Sequence, residues 1–96
     1  MRRDEALAVI AAHKRVLLSY GVKHLSIFGS VARDEAGPVS DVDILVEFAK
    51  PIGLFGFARL QEYLEQILDA RVDLVTEGGL RRQMRDQILR EAIPAA

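Results

Sequence analysis

The sequence predicts a small α/β (α+β) domain, and three observations predict it. The stretches VKHLSIF, DVDILVEF and RVDLVT carry the residue-by-residue alternation of strands. Around and between them lie segments whose apolar residues recur three and four apart, the spacing of amphipathic helices. Gly- and Pro-bearing junctions separate the two kinds of segment, so that helix and strand signals alternate along the chain.

The elements follow in order. Asp4 is placed to cap a helix over 4–20, with Ala6, Val9, Ile10, His13, Val16, Leu17 and Tyr20 on one side and Gly21 ending it. His13 reads as a packed or half-exposed helix residue rather than a ligand, and Arg2, Arg3, Lys14 and Arg15 as a solvated face. A first strand over 22–28 leads into a short helix over 30–34 and a loop over 35–39 with Gly37-Pro38 as its turn. A second strand runs to Phe48, and Pro51 and Gly53 then precede a helix over 54–68. Its buried stripe is expected to hold Leu54, Phe57, Leu60, Leu64, Ile67 and Leu68, with Phe55 and Tyr63 at the edges. A third strand spans 71–76. Gly78-Gly79 turns the chain into a basic helix over 80–91, and Pro94 is expected to end the structure. Arg81, Arg82, Arg85 and Arg90 read first as a solvated face of that helix, and second as a phosphate or partner contact.

Composition limits the function. At 96 residues the chain is expected to be a single domain, 1–96, with one modest core and no second substrate-binding domain. Thirteen basic against fourteen acidic residues leave a net charge of −1, so no global field gathers nucleic acid, which argues against direct nucleic-acid binding. The lack of cysteine excludes a disulfide framework and thiolate metal sites, and fits a reducing compartment. Charge interrupts the apolar run of MRRDEALAVIAAHKR too early for a signal peptide or membrane span. A cytoplasmic protein without a membrane partner is the expectation.

The chemistry concentrates in 25–48. Gly29 lets backbone approach a ligand closely, and Ser30 sets a hydroxyl beside the N–H groups that begin a helix, a seat for phosphate. Asp41 and Asp43 share one face of their strand while Val42, Ile44, Val46 and Phe48 take the other. Paired carboxylates repel unless a cation or proton lies between them, and Mg²⁺ commonly bridges carboxylates to substrate phosphates. Asp73, in phase on the third strand, offers the third carboxylate of a two-metal site. Arg33, one turn beyond Ser30, either reaches a phosphate or pairs with Glu35 or another carboxylate. Ser40 is placed to brace the backbone or the aspartates. No Walker-type P-loop, Ser-His-Asp set or His-x-x-x-His pattern is present, so the carboxylates are the chemical constellation on offer.

These residues resemble the minimal nucleotidyltransferases (MNT) of the DNA polymerase beta superfamily, the antitoxin-type group paired with HEPN-domain toxins. The resemblance rests on FGSVARDEAGPVSDVDILVEF over 28–48, GLFGFARLQEYLEQIL over 53–68 and RVDLVTEGGLR over 71–81, and covers nearly the whole chain. It implies the polymerase beta-like nucleotidyltransferase fold, a small mixed sheet with helices packed on one face. It implies Gly29 and Ser30 at a nucleoside triphosphate and Asp41, Asp43 and Asp73 around Mg²⁺; Arg33 and Ser40 are the further candidate nucleotide-binding residues, and three carboxylates suit two ions. Many relatives have glycine where this chain has Asp34, whose carboxylate either weakens nucleotide affinity or points to solvent.

The activity implied is transfer of a nucleoside monophosphate, AMP from ATP, to a tyrosine hydroxyl of a cognate HEPN ribonuclease toxin, which is thereby silenced. Asp73 would hold the second metal and help to deprotonate the acceptor. The competing class is a non-catalytic antitoxin that neutralises its partner by binding and occlusion. Asparagine at Asp41 or Asp43 is expected to abolish transfer and spare the fold, which separates the two.

Overall fold

The computed structural model describes residues 1–35, 37 and 41–96. Helices α1 (Arg3–Ala12) and α2 (Lys14–Ser19) lead to strand β1 (Val22–Phe28), the short helix α3 (Gly29–Ala32) and strand β2 (Val42–Phe48). Helix α4 (Leu54–Leu68), strand β3 (Val72–Thr76), a 3₁₀ turn (Glu77–Gly79), helix α5 (Arg82–Glu91) and strand β4 (Ile93–Pro94) follow. The sheet is mixed, in the order β3-β2-β1-β4: β1 is antiparallel to β2 and β4, and β2 is parallel to β3. The parallel pair needs a long return, which α4 supplies.

Alternation sorts the strands into two faces. Val42, Ile44 and Val46 of β2 and Val72 and Leu74 of β3 are buried, and Leu60, Leu64 and Leu68 of α4 join them in one core with Ile10 of α1 and Leu17 of α2. In β1 both Val22 and Leu25 reach that core although they are three residues apart. A register shift between Val22 and His24 reverses the phase there. The opposite face carries Asp43 and Asp73.

Four details depart from the sequence reading. The expected helix over 4–20 breaks at His13. Its ring Nδ1–H donates to Val9 O at 2.7 Å and its amide turns to Ile10 O at 3.1 Å, so the side chain takes the carbonyl that the next helical bond would use. His13 is half-buried, edge-on to Tyr63, which fits the packed reading. Second, Asp4 is not the cap: α1 begins at Arg3, whose amide donates to Asp34 Oδ1 at 3.1 Å. Third, Leu54 and Phe55 are 80% and 82% exposed, because the first turn of α4 stands off the core. Last, Pro94 continues the sheet. Its missing N–H is tolerated at the edge position of β4, and the amides of Ala95 and Ala96 both donate to Leu25 O.

Asp34 has φ 59°, a left-handed conformation that favours glycine and tolerates Asp or Asn. Glycine would suit the same conformation, and the Asp34 carboxylate faces α1, where it accepts from the Arg3 amide. Asp34→Ala is expected to cost about 1–2 kcal/mol, combining backbone strain with a lost N-terminal hydrogen bond. Asp34→Gly should lose only the bond. Thermal melts check both, since a domain of this size moves about 4–8 °C per kcal/mol.

Candidate active site

Strand pairing builds the site. Asp43 lies opposite Phe28 on β1 and opposite Asp73 on β3, so the two aspartates stand side by side at one level of the sheet. Gly29 follows directly, at φ 72°. A Cβ there would overlap Asp43 Oδ2 and lie 3.0 Å from its Cγ, so the turn admits glycine alone at this closeness. Asp43, Asp73, Gly29, Phe28 and Arg33 line a cleft of about 290 Å³, closed on another side by Met84, Gln87, Ile88 and Glu91 of α5. A larger open hollow of about 580 Å³ lies against α1 and α2, where Lys14 and Arg15 are the charged residues and no carboxylate enters. The carboxylate pair belongs to the smaller cleft.

Burial raises the Asp43 carboxyl above its ordinary value of 3.8, and the charges of Asp73 and Asp41 raise it further, with Arg33 opposing. A side-chain hydrogen bond with Asp73 works in the same upward direction. The metal-free folded state therefore holds the Asp43 proton to higher pH than the unfolded chain. Stability contributed by that proton is present near 3.8 and is lost as pH rises through the raised folded value. In EDTA, the melting-temperature advantage of Asp43→Asn over the native chain is expected to grow with pH across that window and then level. A constant difference would count against the carboxylate pair as its source.

The sequence-predicted residues are unevenly placed. Asp43 and Asp73 converge, whereas Asp41 is exposed at the entry to β2, outside the cleft lining but close enough for its charge to act on Asp43. Among the described residues no three His, Cys, Asp or Glu side chains are already gathered to hold a metal ion. The fit to Mg²⁺ rests on the Asp43–Asp73 pair: hard oxygen donors whose mutual repulsion a cation would relieve. One or two carboxylates with substrate phosphates are a common Mg²⁺ donor set. Gly29 is at the cleft, Ser30 is half-buried in α3, and Ser40 lies outside the described residues.

Arg33 lines the cleft and also makes the alternative contacts, donating to Glu35 at 3.1 Å and Glu91 at 3.2 Å. Sequence reading missed the contribution of α5. Residues 84, 87, 88 and 91 form one helical stripe, but the arginines on its other faces dominated the pattern. Arg81, Arg82, Arg85 and Arg90 are exposed, and Arg85 pairs with Glu77.

Known proteins match this chain over most of its length. The nucleotidyltransferase domain family matches residues 10–95. The protein adenylyltransferase MntA of Thermococcus cleftensis is 42% identical over 91 residues, covering 94% of this chain and 92% of that protein. A solved structure described as a candidate minimal nucleotidyltransferase superposes with a TM-score of 0.84 at 42% identity, covering 98% of this chain and 96% of the other. A chain from the complex of a tri-AMPylated Shewanella oneidensis HEPN toxin with its MNT antitoxin shares the fold, with a TM-score of 0.68 at 19% identity over 95% of this chain and 71% of that one. Among the described residues no helix is long and apolar enough to cross a membrane. A glycine turn pressed against paired carboxylates on a mixed four-stranded sheet, matched over nearly its full length, makes this chain a nucleotidyltransferase of the minimal, MNT-type family.

Proposed function

We propose that the chain transfers AMP from MgATP to a hydroxyl of a partner protein, a tyrosine of a cognate HEPN ribonuclease toxin, and so acts as its antitoxin in the cytoplasm. One observation carries the reading: Asp43 and Asp73 stand side by side in a cleft that also holds Gly29 and Arg33. Nucleotidyltransferases generally use a nucleoside triphosphate and a divalent metal, and the 42% identical Thermococcus relative is named for adenylyl transfer to protein.

In this reading Asp43 and Asp73 hold Mg²⁺, with Asp41 completing the set and two ions accommodated in all. When bound, the metal supplies charge neutralisation for the entering and leaving oxygens. Gly29 gives the phosphates room, Ser30 and Ser40 orient them, and Arg33 binds them through its N–H fork. Asp73, exposed at the strand end, takes the acceptor's proton. The acceptor oxygen then bonds to the α phosphorus, the bond to the bridging oxygen breaks, and pyrophosphate leaves with that electron pair. On a toxin tyrosine, the added phosphate would place negative charge where an RNA phosphate must sit.

Intact mass spectrometry of the cognate partner, incubated with the chain, Mg²⁺ and each nucleoside triphosphate in turn, tests the proposal. A gain of one or more adenylyl units, absent with Asp43→Asn, is expected. A partner that binds firmly and gains no mass would replace transfer by occlusion.

A further inference from the structure

Arg33 is the cation that the proposed reading gives to the triphosphate, and in the free chain it is already engaged. Its Nε donates to Glu35 Oε2 at 3.1 Å and its Nη1 to Glu91 Oε2 at 3.2 Å. The two partners differ in origin. Glu35 is a neighbour in sequence, whereas Glu91 is the last residue of α5, 58 positions away. The other oxygen of Glu91, Oε1, accepts from Gln87 Nε2 at 3.3 Å, so one turn of α5 steadies the carboxylate that meets Arg33. Glu91 thus adds a negative group to a cleft where Asp43 and Asp73 already repel, in the place where phosphate charge would arrive.

We infer that Glu91 is a positioning residue that competes with the nucleotide's phosphates for Arg33, so that triphosphate binding requires the Arg33–Glu91 ion pair to open. The inference rests on the reading of the cleft as a nucleotide site. Guanidinium engages carboxylate and phosphate through the same fork of N–H groups, so the two ligands exclude each other at Nη1. A carboxylate left in place would also face the triphosphate with like charge. The Arg33 side chain is 44% exposed and that of Glu91 26%, so the pair is partly screened and its opening is expected to cost about two- to fivefold in affinity. That cost precedes chemistry, and it falls on binding and KM.

Calorimetric titration of MgATP into the native chain, Glu91→Gln, Arg33→Ala and the double variant tests this. Glu91→Gln is expected to lower Kd about two- to fivefold, Arg33→Ala to raise it, and the gain from Glu91→Gln to shrink or vanish in the Arg33→Ala background. A purely structural Glu91 would give weaker binding in Glu91→Gln, with a lower melting temperature and no dependence on Arg33. Unchanged or weaker binding in Glu91→Gln, or an equal gain in both backgrounds, overturns the competition while nucleotide binding by the native chain keeps the site reading intact. Absence of MgATP binding in all four proteins overturns both. Should Glu91→Gln not fold, Glu91→Asp, which keeps the charge and shortens its reach, makes the same comparison.

Discussion

Asp43→Asn is expected to lower nucleotidyl transfer by about 10³-fold, while the chain stays folded and melts at the same or a higher temperature in the absence of metal. The two halves of this result have one cause. Asp43 is held beside Asp73 by strand register and is partly withdrawn from water, so its charge is costly in the free chain. Asparagine removes that cost and keeps the shape. In the proposed reaction the same change would remove a hard oxygen donor from the pair that fits Mg²⁺, and transition-state charge would go unneutralised. Mg²⁺ should raise the melting temperature of the native chain and do so less for the variant. Asp41→Asn is expected to share the loss of transfer with little change in melting, since Asp41 is exposed. Full transfer in Asp43→Asn, measured as adenylyl mass gained per unit time, would remove the carboxylate pair from the mechanism.

Gly29→Ala is expected to be the most damaging single methyl in the chain, costing about 2–4 kcal/mol. Two terms add. A φ of 72° strains any residue with a Cβ, and that Cβ would overlap Asp43 Oδ2. Either the turn opens or Asp43 moves, and transfer is expected to fall in both cases. The melting temperature should drop by roughly 10–25 °C. Asp43→Ala in the same background separates the terms: it removes the overlap and leaves the φ strain, so the double variant should be more stable than the sum of the singles by about 1–2 kcal/mol. Strict additivity would show that the methyl is accommodated without touching Asp43.

How much of this was legible beforehand differs from residue to residue. The alternation in DVDILVEF told which side of β2 the carboxylate of Asp43 takes, because a strand has a period of two and only one of its faces can join the core. The same logic placed Asp73, and the glycine at 29 was readable as a close approach. The break at His13 was not, since the apolar spacing continues across it and the competing bond is made by a ring nitrogen to Val9 O. Nor was β4, whose two residues carry no period and whose pairing with β1 closes a loop of more than sixty residues.

The amino-acid sequence by itself determined the order of the main helices and of β1, β2 and β3, the buried face of β2 and of β3, and the chemistry of Gly29, Asp43 and Asp73, because these follow from local spacing and side-chain type. Only the tertiary structure decided that Asp43 and Asp73 meet while Asp41 stays outside, that Asp34 serves α1, and that α5 walls the cleft and brings Glu91 to Arg33. Those are contacts between residues tens of positions apart. They are set by strand register and by which helix face the sheet leaves room for, and no period in one dimension encodes them.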